Sequence, residues 1–235
     1  MKKLFTFKEI DSGDMLEQFF RLRYEVYADC ENKVFITENP AQLDIDSFDI
    51  HAKHYGFMCD NNLVGYFRMV FPQGEFRNEQ VIEIANRHLL QKQINPVANN
   101  APFPFLSYDG VPKVHWDYYE NLLKKSERMV EISRLILHPA YREMKMSRLL
   151  IDFGCTIYIL LCDKIRSVLV NCSQSHEVFY KYYGFQSIDN LGGYSVGKLR
   201  KVSLVFSTLT HKPPYEKVDS MVQEFKLNNK IQLEL

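Results

Sequence analysis

A carboxylate, a hydroxyl and a guanidinium stand close together in Glu131-Ile132-Ser133-Arg134, inside the otherwise apolar, β-forming run Met129–Leu137. The run stops at His138-Pro139, as a strand does when it leads into a loop. Burying Glu131 and Arg134 without partners is costly, so they must pair with each other or with a ligand. Side chains alternate along a strand, which predicts Glu131 and Ser133 on one face and Arg134 on the other. One face would then line a cleft with a proton acceptor and a hydroxyl, while the arginine ties the opposite side together. Next comes Tyr141-Arg142-Glu143-Met144-Lys145-Met146-Ser147-Arg148, opening an apolar run, 149–162, long enough for a helix on the sheet. Strand, basic turn and helix N-terminus together make an anion site, with free N–H groups and the helix dipole aided by Arg142, Lys145 and Arg148. The plainer reading of those cations is a solvated basic face.

The elements that must hold these groups are legible around them. An amphipathic helix begins near Asp14 and ends at Arg21 to Tyr27; a polar, proline-containing loop leads to Leu43-Asp44-Ile45-Asp46-Ser47-Phe48-Asp49. Strand-like runs at 54–59 and 63–71 flank Asp60-Asn61-Asn62, a hairpin turn. Helical spacing of Val81, Ile82, Ile84, Ala85, Leu89 and Leu90 predicts a helix over 78–93, and a Pro/Asn/Ala-rich loop follows at 95–104. Tyr108, Trp116, Tyr118, Tyr119, Leu122 and Leu123 mark another helix. Ser167 to Asn171 reads as a strand, 176–185 as a helix and 202–209 as a final strand. After Pro213-Pro214 a docking helix is expected over 215–227.

Composition sets outer bounds. The chain has 235 residues, 46% hydrophobic and 25% charged, enough for a large core. Lys+Arg and Asp+Glu balance at 29 each, so no global field draws it to nucleic acid. Five dispersed cysteines, Cys30, Cys59, Cys155, Cys162 and Cys172, lack CxxC spacing and point to a reducing cytoplasm. No signal peptide, membrane span, internal repeat or low-complexity tract is read. Cys172 is taken as a buried thiol, and His51 and His54 as structural, because no further metal ligands assemble around them.

Taken in order, Arg23-x-x-x-Tyr27, Asp46-x-x-Asp49, Gly65-x-x-Arg68, Glu131-x-Ser133-Arg134, Pro139-x-x-Arg142 and Tyr180-x-x-x-Gly184-Phe185 resemble the GNAT acyltransferases. The resemblance is nearest to the group that joins the PEP-CTERM/exosortase-associated acyltransferases, the N-acyl amino acid synthases and the acyl-homoserine-lactone synthases. The first of these is carried by Arg23 to Tyr27, Phe35, Pro40 and the run from Asp46 to His54. It covers about 14–72 and 129–186. Two departures matter. Lys145 and Ser147 stand where GNAT enzymes usually have glycine, leaving less room for backbone approach to a donor. Lactone synthases carry a tryptophan where this chain has Lys33-Val34-Phe35, and its one tryptophan is Trp116.

The resemblance implies an α/β (α+β) GNAT-like fold, a mixed, mostly antiparallel sheet flanked by helices, over residues 1–212, with a helical insertion at about 72–128 and a tail at 213–235. It implies transfer of a fatty acyl group from a thioester, on acyl carrier protein or coenzyme A, to an amine such as an amino acid, without a tightly bound cofactor. Acyl-homoserine-lactone synthesis, acetyl-CoA-dependent N-acetylation and non-catalytic binding of acyl carrier protein or lipid remain as alternatives. An amine must be neutral to attack, so Glu131 is expected to accept its proton. Ser133 or strand N–H groups would face the oxyanion, and Tyr180 or Tyr182 would protonate the thiolate. Arg23, Asp46, Asp49, Arg68 and Arg134 are expected at the acceptor, or equally as an ion-pair framework. Leu137, Arg142, Lys145, Met146, Ser147 and Arg148 are expected at the donor. The insertion serves as an acyl tunnel or lid, or merely packs on the core.

Overall fold

The computed structural model of the chain describes residues 2–29, 36, 38–72, 75–89, 101–125, 128–188, 191–207 and 216–234. The expectations for Cys30, Lys33 to Phe35, the 90–93 helix end, the 95–100 loop, the 208–209 strand end, Pro213-Pro214 and Tyr215 lie outside these residues.

Nine described strands form one sheet: β1 (Leu4–Glu9), β2 (Ala52–Cys59), β3 (Asn62–Val70), β4 (Met129–Leu137), β5 (Ser167–Ser173), β6 (Gln186–Ser187), β7 (Tyr194–Val196), β8 (Leu199–Ser207) and β9 (Lys230–Glu234). Their order is β6-β8-β5-β4-β3-β2-β1-β9, with β7 also on β8. The β4–β5 pair is parallel and the other pairs are antiparallel, which is the mixed, mostly antiparallel sheet expected. The β2–β3 hairpin turns at Asp60 and Asn61, whose φ values of 47° and 70° suit residue types that tolerate the left-handed region.

Among the described residues six α-helices accompany the sheet: α1 (Gly13–Ala28), α2 (Glu79–His88), α3 (Lys113–Lys124), α4 (Met144–Leu160), α5 (Glu177–Tyr182) and α6 (Glu216–Asn228). α1 starts where the Ser12 side chain accepts from the Met15 N–H and buries Leu16, Phe19, Phe20, Leu22 and Val26 against the sheet. α4 and α6 cover the opposite face, where Phe7 stacks on Phe153 at 4.3 Å and Val218, Met221 and Val222 join the core. The helix expected over 176–185 is the shorter α5, entered through a 3-10 turn at Gln174–His176. Sequence reading missed β1, β6, β7 and β9. The last of these corrects the picture of the tail: β9 pairs with β1 and α6 packs on α4, so the C-terminal residues belong to the sheet. Among the described residues, no helix is long and apolar enough to cross a membrane.

Two irregularities of β4 open the sheet. Against β3, Tyr66 pairs with Ile136 and Arg68 with Ser133, so two steps of β3 face three of β4, and the extra residue sits at Arg134 with φ 54°. Against β5, pairing ends at Ile132 and Val170, although β5 continues to Ser173 along β8. The two parallel strands therefore diverge beyond Ile132. Gly65 lets β3 stay close to this bulged strand, since a Cβ there would stand 2.9 Å from the Ile136 carbonyl oxygen.

Candidate active site

The divergence of β4 and β5 opens a cavity of about 660 Å³, walled by β4 from Glu131 to Leu137, β5 from Val170 to Ser173, and Arg68, Arg142, Tyr180 and Lys201. Pro104, Phe105 and Tyr108 from the 72–128 segment complete the wall.

Glu131 is 2% exposed, and its Oε2 accepts from the Phe105 N–H at 3.4 Å. Burial pushes its carboxyl up to about 8, against the opposing pull of that N–H and of the Arg68 charge. A carboxylate so placed exchanges protons near neutral pH, where proton transfer is most effective. Ser133 Oγ accepts from Arg68 Nε at 3.0 Å. Tyr180 lines the cavity with its phenol held protonated by burial, whereas Tyr182 is 60% exposed and drops out as the second phenol. Cys172 also lines the cavity, but burial raises its thiol to about 11, which makes it a poor nucleophile.

The predicted placement of Arg134 opposite Glu131 and Ser133 does not hold. The bulge turns Arg134 to the side of Ser133, where its Nη2 donates to Asp46 at 3.1 Å and its guanidinium lies 5.0 Å from the Tyr27 ring. It joins a lattice of three guanidiniums and three carboxylates. Arg23 meets Asp44 at 2.9 Å and Asp49 at 2.7 Å, and Arg68 meets Asp46 at 2.8 Å and Asp49 at 2.7 Å. Arg134 also lies 3.3 Å from Asp44. Burial disfavours ionised Asp46 and Asp49, but Arg68 beside the first and Arg23 and Arg68 beside the second outweigh it and hold both below the usual range. Charges so matched need no ligand, and removing one leaves another stranded. Arg23, Asp46 and Asp49, expected at the substrate, do not line the cavity, while Arg68 and Arg134 do. Next to the lattice, His54 bonds the Tyr66 hydroxyl at 2.6 Å and the Asp49 carbonyl at 3.1 Å; burial lowers it to about 4, so it is neutral and structural. His51 Nδ1 lies 2.9 Å from the Phe76 carbonyl oxygen.

At the other end, Leu137 and Arg142 line the cavity, and Arg142 Nε donates to the Leu137 carbonyl at 3.3 Å. Lys145 and Arg148 are exposed on the first turns of α4 and Ser147 is partly buried. The Met146 side chain turns into the core, leaving only its backbone to face a donor.

Asp44, the Phe105 N–H and Lys201 were missed. Asp44 had a signal, since Asp44, Asp46 and Asp49 crowd one short loop ahead of two strands. The other two had none, because insertion and β8 reach the site only through tertiary packing.

Residues 22–99, from within α1 through β3 and α2, match the acetyltransferase (GNAT) domain family. No match is found among curated protein sequences. Solved structures of similar fold include FeeM, an N-acyl amino acid synthase from uncultured soil microbes, with 10% identity and a TM-score of 0.52 over 88% of this chain and 92% of that one. The CoA-dependent acyl-homoserine lactone synthase MesI gives 17% and 0.55 over 89% and 88%. The AHL synthase LasI gives 14% and 0.54 over 88% and 90%. Domain match and architecture converge on a GNAT fold, the fold also of an N-acyl amino acid synthase and of acyl-homoserine-lactone synthases.

Proposed function

We propose that this protein transfers a fatty acyl group from a thioester, carried by acyl carrier protein, to the nitrogen of a small amine such as an amino acid. The observation that carries the reading is a buried carboxylate, Glu131, facing the cavity where β4 and β5 part. The amine nitrogen attacks the thioester carbon, the N–C bond forms, and Glu131 takes the proton that the nitrogen sheds. Strand N–H groups released where β4 leaves β5, with the Ser133 hydroxyl, stabilise the oxyanion. The C–S bond then breaks and the Tyr180 phenol protonates the departing thiolate.

Leu137, Arg142, Lys145, Ser147 and Arg148, around the start of α4, hold the phosphopantetheine arm in this reading, with Met146 contributing its backbone. Apolar walls at Val26, Ile132, Leu135, Ile136 and Val170 favour a hydrocarbon chain, each buried methylene contributing about 0.8 kcal/mol. The carrier protein is favoured over free coenzyme A by the exposed cations Lys145 and Arg148, which suit an acidic partner. The setting we propose is cytoplasmic.

The test is lipid extraction and mass spectrometry of cells expressing the wild type or Glu131→Ala. An N-acylated compound present only with the wild type is the expected result, and indistinguishable extracts refute the reading. An acylated homoserine lactone as product would select the lactone synthase instead.

A further inference from the structure

We propose that Lys201 anchors a carboxylate of the acceptor, making the cavity selective for amines that carry an acid group. The inference rests on the acyltransferase reading above and adds to it the chemistry of the acceptor.

The strand register places Lys201 on the same face of the sheet as Glu131. Paired residues of neighbouring strands share a face, and Glu131 pairs with Leu169, which pairs with Val205. Steps of two along β5 and β8 then put Asn171, Ser173, Ser203 and Lys201 on the face of Glu131. Val168, Val170, Cys172, Leu204 and Phe206 share the other face and the core built on α4. The cations at the start of α4 thus serve the donor's face, and Lys201 stands on the acceptor's. It lines the same cavity as Glu131, is partly buried, and its charge and that of Glu131 act on each other.

The wall that carries Lys201 is firmly built. Asn171 Oδ1 accepts from Ser203 Oγ at 2.6 Å and from the Tyr194 hydroxyl at 3.2 Å. His115, from α3 of the inserted segment, reaches Ser203 Oγ at 3.3 Å and the Gly192 carbonyl at 3.1 Å. Ser203 is two residues from Lys201 on the same face, so this network fixes the strand from which the ammonium projects. A carboxylate bound there holds an α-amino group on the Glu131 side of the open strands, where the thioester carbon must be met.

Isothermal titration of the full chain with the standard α-amino acids and their decarboxylated amines reads binding without turnover. At least one amino acid should bind about 10- to 100-fold more tightly than its decarboxylated amine, the range expected for a charge-assisted hydrogen bond. Lys201→Met should abolish that difference, Lys201→Arg should keep most of it, and the amine should bind both variants like wild type. Where product forms, Lys201→Met should raise KM for the acceptor by a similar factor with KM for the donor unchanged. Equal binding of acid and amine, no binding of any probe, or undiminished discrimination in folded Lys201→Met overturns the proposal, even if acyl transfer is found. Carboxylate-dependent binding lost in Lys201→Met, in a protein that transfers no acyl group, supports this site and removes the transferase reading instead.

Discussion

Replacing Glu131 by Gln should separate catalysis from stability, and the two effects should run in opposite directions. The amide keeps the shape of the side chain and an oxygen to accept the Phe105 N–H, but it cannot take a proton. Loss of a positioned base should lower turnover by about two to four orders of magnitude. Stability should not fall. A carboxyl raised from 4.5 to about 8 holds its proton longer in the folded chain than in the unfolded one. Wild-type stability therefore declines as pH rises from about 4.5 and levels off above about 8. At about 1.4 kcal/mol for each pH unit, that interval sets a ceiling near 5 kcal/mol above pH 8, and roughly 3 kcal/mol at pH 7. Glu131→Gln removes this liability, so its denaturation midpoint should match the wild type near pH 4 and exceed it at pH 8. In the wild type the rate should climb with pH through about 8 as the base ionises, a limb the variant should lack. Urea titrations from pH 4 to 9, with acyl-transfer assays over the same range, check both. A folded variant with unchanged turnover, or one whose midpoint drops as pH rises, refutes the assignment.

Other perturbations probe the framework and the donor. Arg23→Ala or Asp46→Ala should each cost about 3–5 kcal/mol in chemical denaturation, because the partners stay buried and uncompensated; unaltered midpoints would deny the lattice a structural role. Asp46 and Asp49 have depressed folded values, so their contribution is present above the ordinary carboxylate range near 3.8 and lost as pH falls below it, which circular dichroism during acid titration should follow. Arg134→Gly should be more stable than Arg134→Ala by about 1–2 kcal/mol, since both lose the same ion pairs and only alanine keeps the left-handed strain; equal midpoints would count against the bulge. Charge reversal at Lys145 or Arg148 should slow association with acyl carrier protein, fade at high salt and spare a carrier-free pantetheine thioester. Equal or better use of acyl-CoA without a salt-dependent loss would remove the carrier protein.

Local pattern determined much of this protein. An apolar run closed by proline marked β4, an Asp-Asn turn marked the β2–β3 hairpin, an amphipathic stretch ending at Tyr27 marked α1 and the apolar run 149–162 marked α4, because these signals are short-range in the chain. Glu131 was legible for the same reason, as a carboxylate in a strand too apolar to solvate it. What only tertiary structure decided is where alternation fails and what long-range packing brings in. The register shift at Arg134 moved that side chain to the face of Ser133 and into the Asp46 lattice, and no residue of β4 announces a bulge that exists only relative to β3. Lys201 and the Phe105 N–H came to the cavity from opposite sides of β4 in the sequence, through β8 beside β5 and through a turn packed over Glu131. β9 likewise acquires strand character by pairing with β1, since an isolated five-residue segment with alternating polar positions has no face to bury until the sheet edge supplies one.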